Sequence, residues 1–359
     1  MMSIRERIKQ FTTLFGIDVP ILNAPMSGVT TPEMVAAVSE AGGMGVLPLD
    51  FLEAELIREA IKEVRHLTDK PFAVNLRIPV KRNDVGSETL LDALSLLREE
   101  NHLEVRKNLP YFEAQFDAVL ESDVSAIQVS FGGLREIYVE KLESRAKEIG
   151  KKPLLIGAAT TLREAKVQRA AGVDAVLVQG AEAGGPRLSF EDTDEALISL
   201  MSLVGPAARS TALPVIASGG IAAAPQAAAS FMLGASAIEV GTYLLRTKES
   251  AMREMYEEAL EFASDTTARL TRLISGRLTR AVPTELMRAL EDAGVKAIEY
   301  PAQLECMRPI FEFAKKSHTT DYADLSCGTS VPVGVPTTTK EAISQLWNKT
   351  QDEFNGGAQ

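Results

Sequence analysis

Two glycine turns carry the strongest chemical signal in this chain. Ser218-Gly219-Gly220 follows the apolar run Pro214–Ala217, and Gly241-Thr242 follows Ala237–Val240, with a helical segment between them. Glycine lets backbone N–H groups approach an anion closely, and the positive end of a following helix adds to the attraction. Two such turns on successive strands match the phosphate site that (β/α)8 barrels build after strands 7 and 8. One turn alone would serve equally as a plain strand-to-helix corner; the ordered pair is what argues for a phosphate-bearing ligand. The other strand ends are rich in amides and hydroxyls: Ala24-Pro25-Met26, Asn75, Ser130, Thr160 and Gln179. That set suits a planar, heteroatom-rich cofactor, hydrogen-bonded through Asn75 and Gln179 while the glycine turns hold its phosphate. The cofactor would then supply the reactivity.

Other chemistries lack their residues. His66, His102 and His318 fall in expected helices or insertions, which argues against Ser–His or Cys–His nucleophiles and against a metal site. Cys306 and Cys327 are too few for a disulfide framework or a cysteine-built metal centre. A net charge of −11 disfavours nucleic acid and anionic membrane surfaces as partners. Thr211 to Ile238 carries no charge, yet Pro214, Gly219, Gly220, Pro225 and Gly234 cut it into strand- and helix-sized pieces, not a membrane span. The N-terminal MMSIRERIKQF has no apolar leader, so a cytoplasmic setting is expected.

The elements that must position these residues alternate. Apolar strand-like runs at Ile21–Ala24, Gly45–Leu49, Phe72–Leu76, Ala126–Ser130, Lys152–Ala158 and Ala175–Val178 precede the two already named. Helical segments lie between them, opened by signals such as Thr31-Pro32-Glu33 and the capping-box pattern Thr161 to Glu164. Eight such units in about 260 residues predict an α/β fold, a (β/α)8 TIM barrel, although alternation alone also fits a doubly wound sheet. A polar insertion at about 77–110 follows strand 3, with weak helical character at Leu90–Leu97. Residues 1–263 thus read as the cofactor-binding barrel. Residues 264–359 read as a helical C-terminal subdomain, with helices near Thr284–Glu291, Gln303–Lys316 and Lys340–Lys349. Such an addition covers the substrate mouth or makes a homodimer contact.

The segments ILNAPMSGVT, AVNLRI, IQVSFGG, GAATTLREAKVQRAAGVDAVLVQGAEAGG, LPVIASGGI and IEVGTYLL resemble the nitronate monooxygenase (2-nitropropane dioxygenase) family of FMN-dependent barrels. The likeness continues through ISGRLTR, YPAQ and SCGTSVP. It implies FMN as cofactor, with the backbone of Ala24, Pro25 and Met26 against the ring and Asn75 and Gln179 as polar contacts. It further implies Gly184 and Gly185 as the closing loop, and Ser218, Gly219, Gly220, Gly241 and Thr242 as the phosphate turns. Tyr300 corresponds to a substrate-pocket tyrosine of the family.

The departures concern proton transfer. The family's strand-six loop usually reads A-G-G-H with a catalytic histidine, and this chain has Pro186 there. A further histidine that usually ends the fourth strand is missing from Phe131-Gly132-Gly133. Proline neither accepts nor donates a side-chain proton, and loss of a base typically removes about 10²–10⁴-fold in rate. Glu182 reads either as a solvated loop acid or, if desolvated, as the substitute base, with Tyr300 near the ring; Arg187 reads as a contact for an anionic substrate or as a surface charge. The implied reaction is oxidation of a small anionic nitronate with O2, because a nitronate needs no deprotonation. An enoyl-thioester or quinone reductase using NAD(P)H, and an FMN-binding protein without turnover, are the alternatives.

Overall fold

Short apolar runs bounded by glycine or proline form the strands of this protein, and amphipathic segments with good N-caps form helices on their outer sides. The computed structural model describes residues 2–80, 90, 92–95, 110–331 and 337–356. The chain opens with α1 (Ile4–Phe15), β1 (Ile21–Asn23), α2 (Pro32–Glu40), β2 (Gly45–Pro48), α3 (Ala54–Leu67) and β3 (Phe72–Arg77). It continues with α4 (Phe112–Leu120), β4 (Ala126–Ser130), α5 (Glu136–Ile149), β5 (Leu154–Ala159), α6 (Leu162–Ala170) and β6 (Ala175–Gln179). After a two-residue strand, β7 (Gly185–Pro186), come α7 (Leu200–Thr211), β8 (Val215–Ser218), α8 (Ala224–Leu233) and β9 (Ala237–Val240). The C-terminal part holds α9 (Arg253–Ala259), β10 (Arg269–Thr271), β11 (Thr279–Ala281), α10 (Glu285–Asp292), α11 (Ala302–Lys316) and α12 (Thr339–Gly356).

All strands but β7, β10 and β11 make one parallel eight-stranded sheet, ordered β2-β3-β4-β5-β6-β8-β9-β1. The ring closes between β1 and β2. A parallel bridge joins Leu22 to Met44, and Met44 N–H donates to Ile21 C=O at 3.0 Å. The buried Asn23 amide extends this seam, accepting from Val46 N–H at 2.8 Å and donating to Val46 C=O at 2.9 Å. The side chain thereby supplies hydrogen bonds that a longer β1 would make with its backbone. A (β/α)8 barrel results, and the doubly wound alternative is excluded.

Inside the ring, Leu22, Val46, Ala73, Ala126, Ile156, Ala175, Leu177, Ile216 and Ala237 form an apolar plug, sealed at the N-terminal end by Phe11 and Phe15 of α1. The outer faces of the strands pack on the helices. The expected 77–110 insertion lies mostly outside the described residues; Leu90 and Leu94 pack against Leu273, Leu286, Leu290, Met307 and Ile310. The C-terminal part is not purely helical as expected. β10 and β11 pair antiparallel, and β11 also pairs with β7 of the strand-six loop. Runs as short and polar as RLT and TRA carry no strand pattern of their own; the edge of β7 recruits them. Among the described residues, no helix is long and apolar enough to cross a membrane.

Candidate active site

Side chains alternate across a strand, so each inward-facing residue is followed by another two positions later. Ala73 leads to Asn75 and Arg77, Ala126 to Gln128 and Ser130, Leu177 to Gln179, Ile216 to Ser218, and Ala237 to Glu239 and Gly241. The apolar plug thus gives way to a polar layer near the C-terminal ends of the strands. This layer floors a cavity of about 1070 Å³, counting its open mouth, which all of these polar-layer residues line. Ala24, Pro25, Met26, Gly184, Gly185, Gly219, Gly220 and Thr242 line it as well, so every cofactor position expected from the sequence meets at one cavity.

Among the described residues, several buried polar atoms of the floor have no hydrogen-bond partner: Asn75 Oδ1, both atoms of the Gln128 amide, Ser130 Oγ and Glu239 Oε2. At the rim, Gly219 and Gly220 hold φ of +100° and +71°. Among the described residues, neither donates its N–H to a backbone or side-chain acceptor. A Cβ on Gly219 would stand 2.9 Å from Ala183 Cβ, and one on Gly220 2.9 Å from Glu182 Cβ. Glycine is required here by conformation and by the passing loop together.

The side chains of that loop differ from expectation. Glu182 does not reach the cavity: its carboxylate oxygens accept from Leu200 N–H at 2.9 and 3.1 Å, capping the start of α7. It is a helix anchor, favoured there by the N-terminal dipole. Arg187 is neither a surface charge nor a cavity contact. It is 1% exposed and donates to the carbonyls of Gln179, Gly180 and Ala196. Gln179 lines the floor, but its amide is engaged with Pro186 C=O at 3.3 Å and Leu188 N–H at 3.0 Å, so it holds the loop. Pro186 lines the cavity while paired with Thr279 of β11.

Sequence reasoning missed Gln128 and Glu239, which lie in mid-strand and read as core. Period-two counting back from Ser130 and Gly241 was the signal that could have found them. It also missed Arg77 and Asp324. Arg77 Nε lies 3.0 Å from Asp50 Oδ1. Its guanidinium is sandwiched between Phe51 and Phe131, 5.1 Å from each ring centre. Arg308 stacks on Phe51 at 4.5 Å and Arg277 on Phe131 at 4.2 Å, giving an alternating stack of three arginines and two phenylalanines beside the cavity. Both phenylalanines occupy the left-handed region, with φ of +67° and +68°. Tyr300 lies edge-on to Phe131, lining an adjoining cavity that shares Arg77.

Burial shifts the carboxyl groups here. It pushes Glu239 up to about 7, against a hydrogen bond from Ser218 Oγ at 3.0 Å and the nearby Gln128 amide, which is outside normal hydrogen-bond geometry. Burial also raises Asp324, against donations from Ser326 N–H and Oγ–H and the field of Arg77. The Tyr300 phenol is raised by burial as well. Among the described residues, no group of His, Cys, Asp or Glu is arranged to hold a metal.

The family profile described as nitronate monooxygenase matches residues 9–349. A probable nitronate monooxygenase of Staphylococcus saprophyticus is 31% identical over 89% of this chain and 91% of its own. The nitronate monooxygenase of Pseudomonas aeruginosa is 38% identical over 74% of this chain and 77% of its own. Among solved structures, nitroalkane oxidase from Streptomyces ansochromogenes superposes with a TM-score of 0.84 and 28% identity, covering 96% of this chain and 99% of that one. With fold and sequence matched along almost its whole length, the chain belongs to the nitronate monooxygenase family and is an oxidoreductase.

Proposed function

We propose that this protein is an FMN-dependent oxidoreductase of the monooxygenase type that oxidises small anionic nitronates with O2. The observation that carries the reading is the layer of buried atoms of Asn75, Gln128, Ser130 and Glu239 that, among the described residues, have no partner, together with the N–H groups of Gly219 and Gly220, which find no acceptor there either. Buried polar groups are normally satisfied, and this set fits a planar heterocycle joined to a phosphate. FMN would supply the redox chemistry between the nitronate and O2. On this reading the backbone at Ala24, Pro25 and Met26 and the loop at Gly184 and Gly185 enclose the ring. Gly219, Gly220, Gly241 and Thr242 hold the phosphate.

The protein's own residues decide which substrate fits. Arg77, fixed by Asp50 and stacked between two rings, turns a positive charge toward the cavity and suits an anion. Pro186 offers no proton acceptor beside it, so the substrate arrives already ionised. In this division of labour residues 1–263 hold the cofactor. Residues 264–359 cover the substrate side, contributing Arg277, Tyr300, Arg308 and Asp324. Anaerobic mixing tests the reaction. Purified protein should be yellow, and a nitronate should bleach it within turnover time while NAD(P)H should not. Bleaching by NAD(P)H alone would make the protein a reductase, and bleaching by neither would make it a flavin carrier.

A further inference from the structure

Glu239 is 2% exposed on the cavity floor, and nothing in the reaction outlined above uses it. Its Oε1 accepts from Ser218 Oγ of β8, its neighbour on one side, and among the described residues its Oε2 has no hydrogen-bond partner. On the other side it registers with Leu22 of β1. The uncharged amide of Gln128 stands close to it, and that of Asn75 lines the same cavity. The charged groups lining the same cavity are Arg77 and Asp324. Arg77 is paired with Asp50, and Asp324 accepts from Ser326. Among the described residues, no cation forms an ion pair with Glu239. An ionised carboxylate there would be a buried charge without a counter-ion.

We propose that Glu239 binds the cofactor as the neutral acid, its Oε2–H donating a hydrogen bond to an acceptor atom of the cofactor's ring system, so that cofactor and proton bind together. The proposal rests on reading the cavity as an FMN site. A planar ring laid over the floor excludes the remaining water, which further disfavours the ionised form. A carboxylic acid kept neutral in an apolar site is a strong donor. In the free protein the carboxyl titrates at about 7, so above neutrality it is largely ionised and must regain its proton when the cofactor arrives. Coupling of this kind is reciprocal: the proton tightens the cofactor as much as the cofactor tightens the proton.

The test is calorimetric titration of FMN into the cofactor-free protein at pH 8, in two buffers of different ionisation enthalpy. The FMN phosphate is already dianionic there, so it contributes no proton. Wild type should take up between about half a proton and one proton per FMN, and its affinity should fall up to about tenfold per pH unit above the carboxyl's titration. Glu239→Gln keeps an N–H donor at the same place; it should bind FMN with no proton exchange and no such pH dependence. In the infrared difference between wild type and Glu239→Gln, the FMN-loaded protein at pH 8 should show a protonated-carboxyl band. Absence of proton uptake by wild type, or a carboxylate band in its loaded form, overturns the proposal. Riboflavin separates it from the phosphate assignment. Equal affinity for riboflavin and FMN with the same proton uptake upholds Glu239 and rejects the glycine turns as a phosphate site. Failure of wild type to bind either flavin overturns both.

Discussion

At the scale of single residues, Glu239 is set apart from Asp50 because, among the described residues, no cation stands beside it. Asp50 faces Arg77, whereas Glu239 faces a hydroxyl and amides. Folding therefore favours the neutral form of Glu239, raising it from 4.5 to about 7. Burying it is easiest below pH 4.5, where it is neutral in both folded and unfolded chains. The penalty grows as pH rises from 4.5 to 7 and is constant above. Cofactor-free Glu239→Gln should accordingly be more stable than wild type by roughly 3 kcal/mol at pH 8, with the gain shrinking toward pH 5. Denaturant unfolding at several pH values measures this; a gain independent of pH would assign it to packing instead. Arg77 calls for a paired test, because removing it alone strands the buried Asp50. In the double variant Asp50→Asn, Arg77→Met, KM for a nitronate should rise about 10- to 100-fold, the worth of a charged hydrogen bond, while FMN affinity stays close to wild type. An unchanged KM would remove Arg77 from substrate recognition.

At the scale of elements, the barrel seam and the strand-six loop are held by side chains doing backbone work. Asn23→Leu leaves the N–H and C=O of Val46 unpaired in a buried position, and should lower stability by about 2–4 kcal/mol. A loss well under 1 kcal/mol in denaturant unfolding would mean that the Leu22–Met44 bridge closes the ring unaided. The loop between β6 and α7 is braced by Gln179, by β11 and by Arg187. A substitution at Pro186 therefore changes the wall of the cavity more than the path of the chain. Pro186→His should leave FMN affinity nearly unchanged and raise turnover of neutral nitroalkanes relative to nitronates, since it restores a group that titrates near neutrality. Equal effects on both substrates would show that proton transfer is not what this position controls.

At the scale of the whole molecule, the C-terminal part is woven into the barrel. Ala342, Ile343 and Leu346 of α12 belong to the same core as the barrel strands, and Trp347 and Phe354 meet Phe231 of α8 edge-on. Arg277 and Arg308 meanwhile complete the stack beside the cavity mouth. A chain ending before Thr339 exposes the apolar faces of α2 and α8 that α12 covers. It should unfold at a markedly lower temperature and release its flavin on gel filtration. Retention of full thermal stability would show that α12 merely rests on the barrel.

The barrel and the rim glycines were legible in the sequence because both depend on short stretches of chain. Strand and helix periods are local, and Gly219 and Gly220 announce a left-handed turn wherever they lie. The positions lining the cavity followed from the rule that strand ends face one mouth. Gln128 and Glu239 were hidden because a polar residue in mid-strand looks the same whether it faces a packed core or the floor of a cavity. Only the radius of the closed ring distinguishes the two. Glu182 and Arg187 flank the right loop, yet the packing of α7 turned one carboxylate to a helix end, and three carbonyls drew one guanidinium into the interior. Arg277 and Asp324 reach the site from 200 or more residues beyond the end of β3 along the chain. Local spacing determined which atoms could stand at the mouth. Tertiary packing alone decided which of them stayed unpaired there, because a hydrogen bond is satisfied by whatever lies nearest in space and not in sequence.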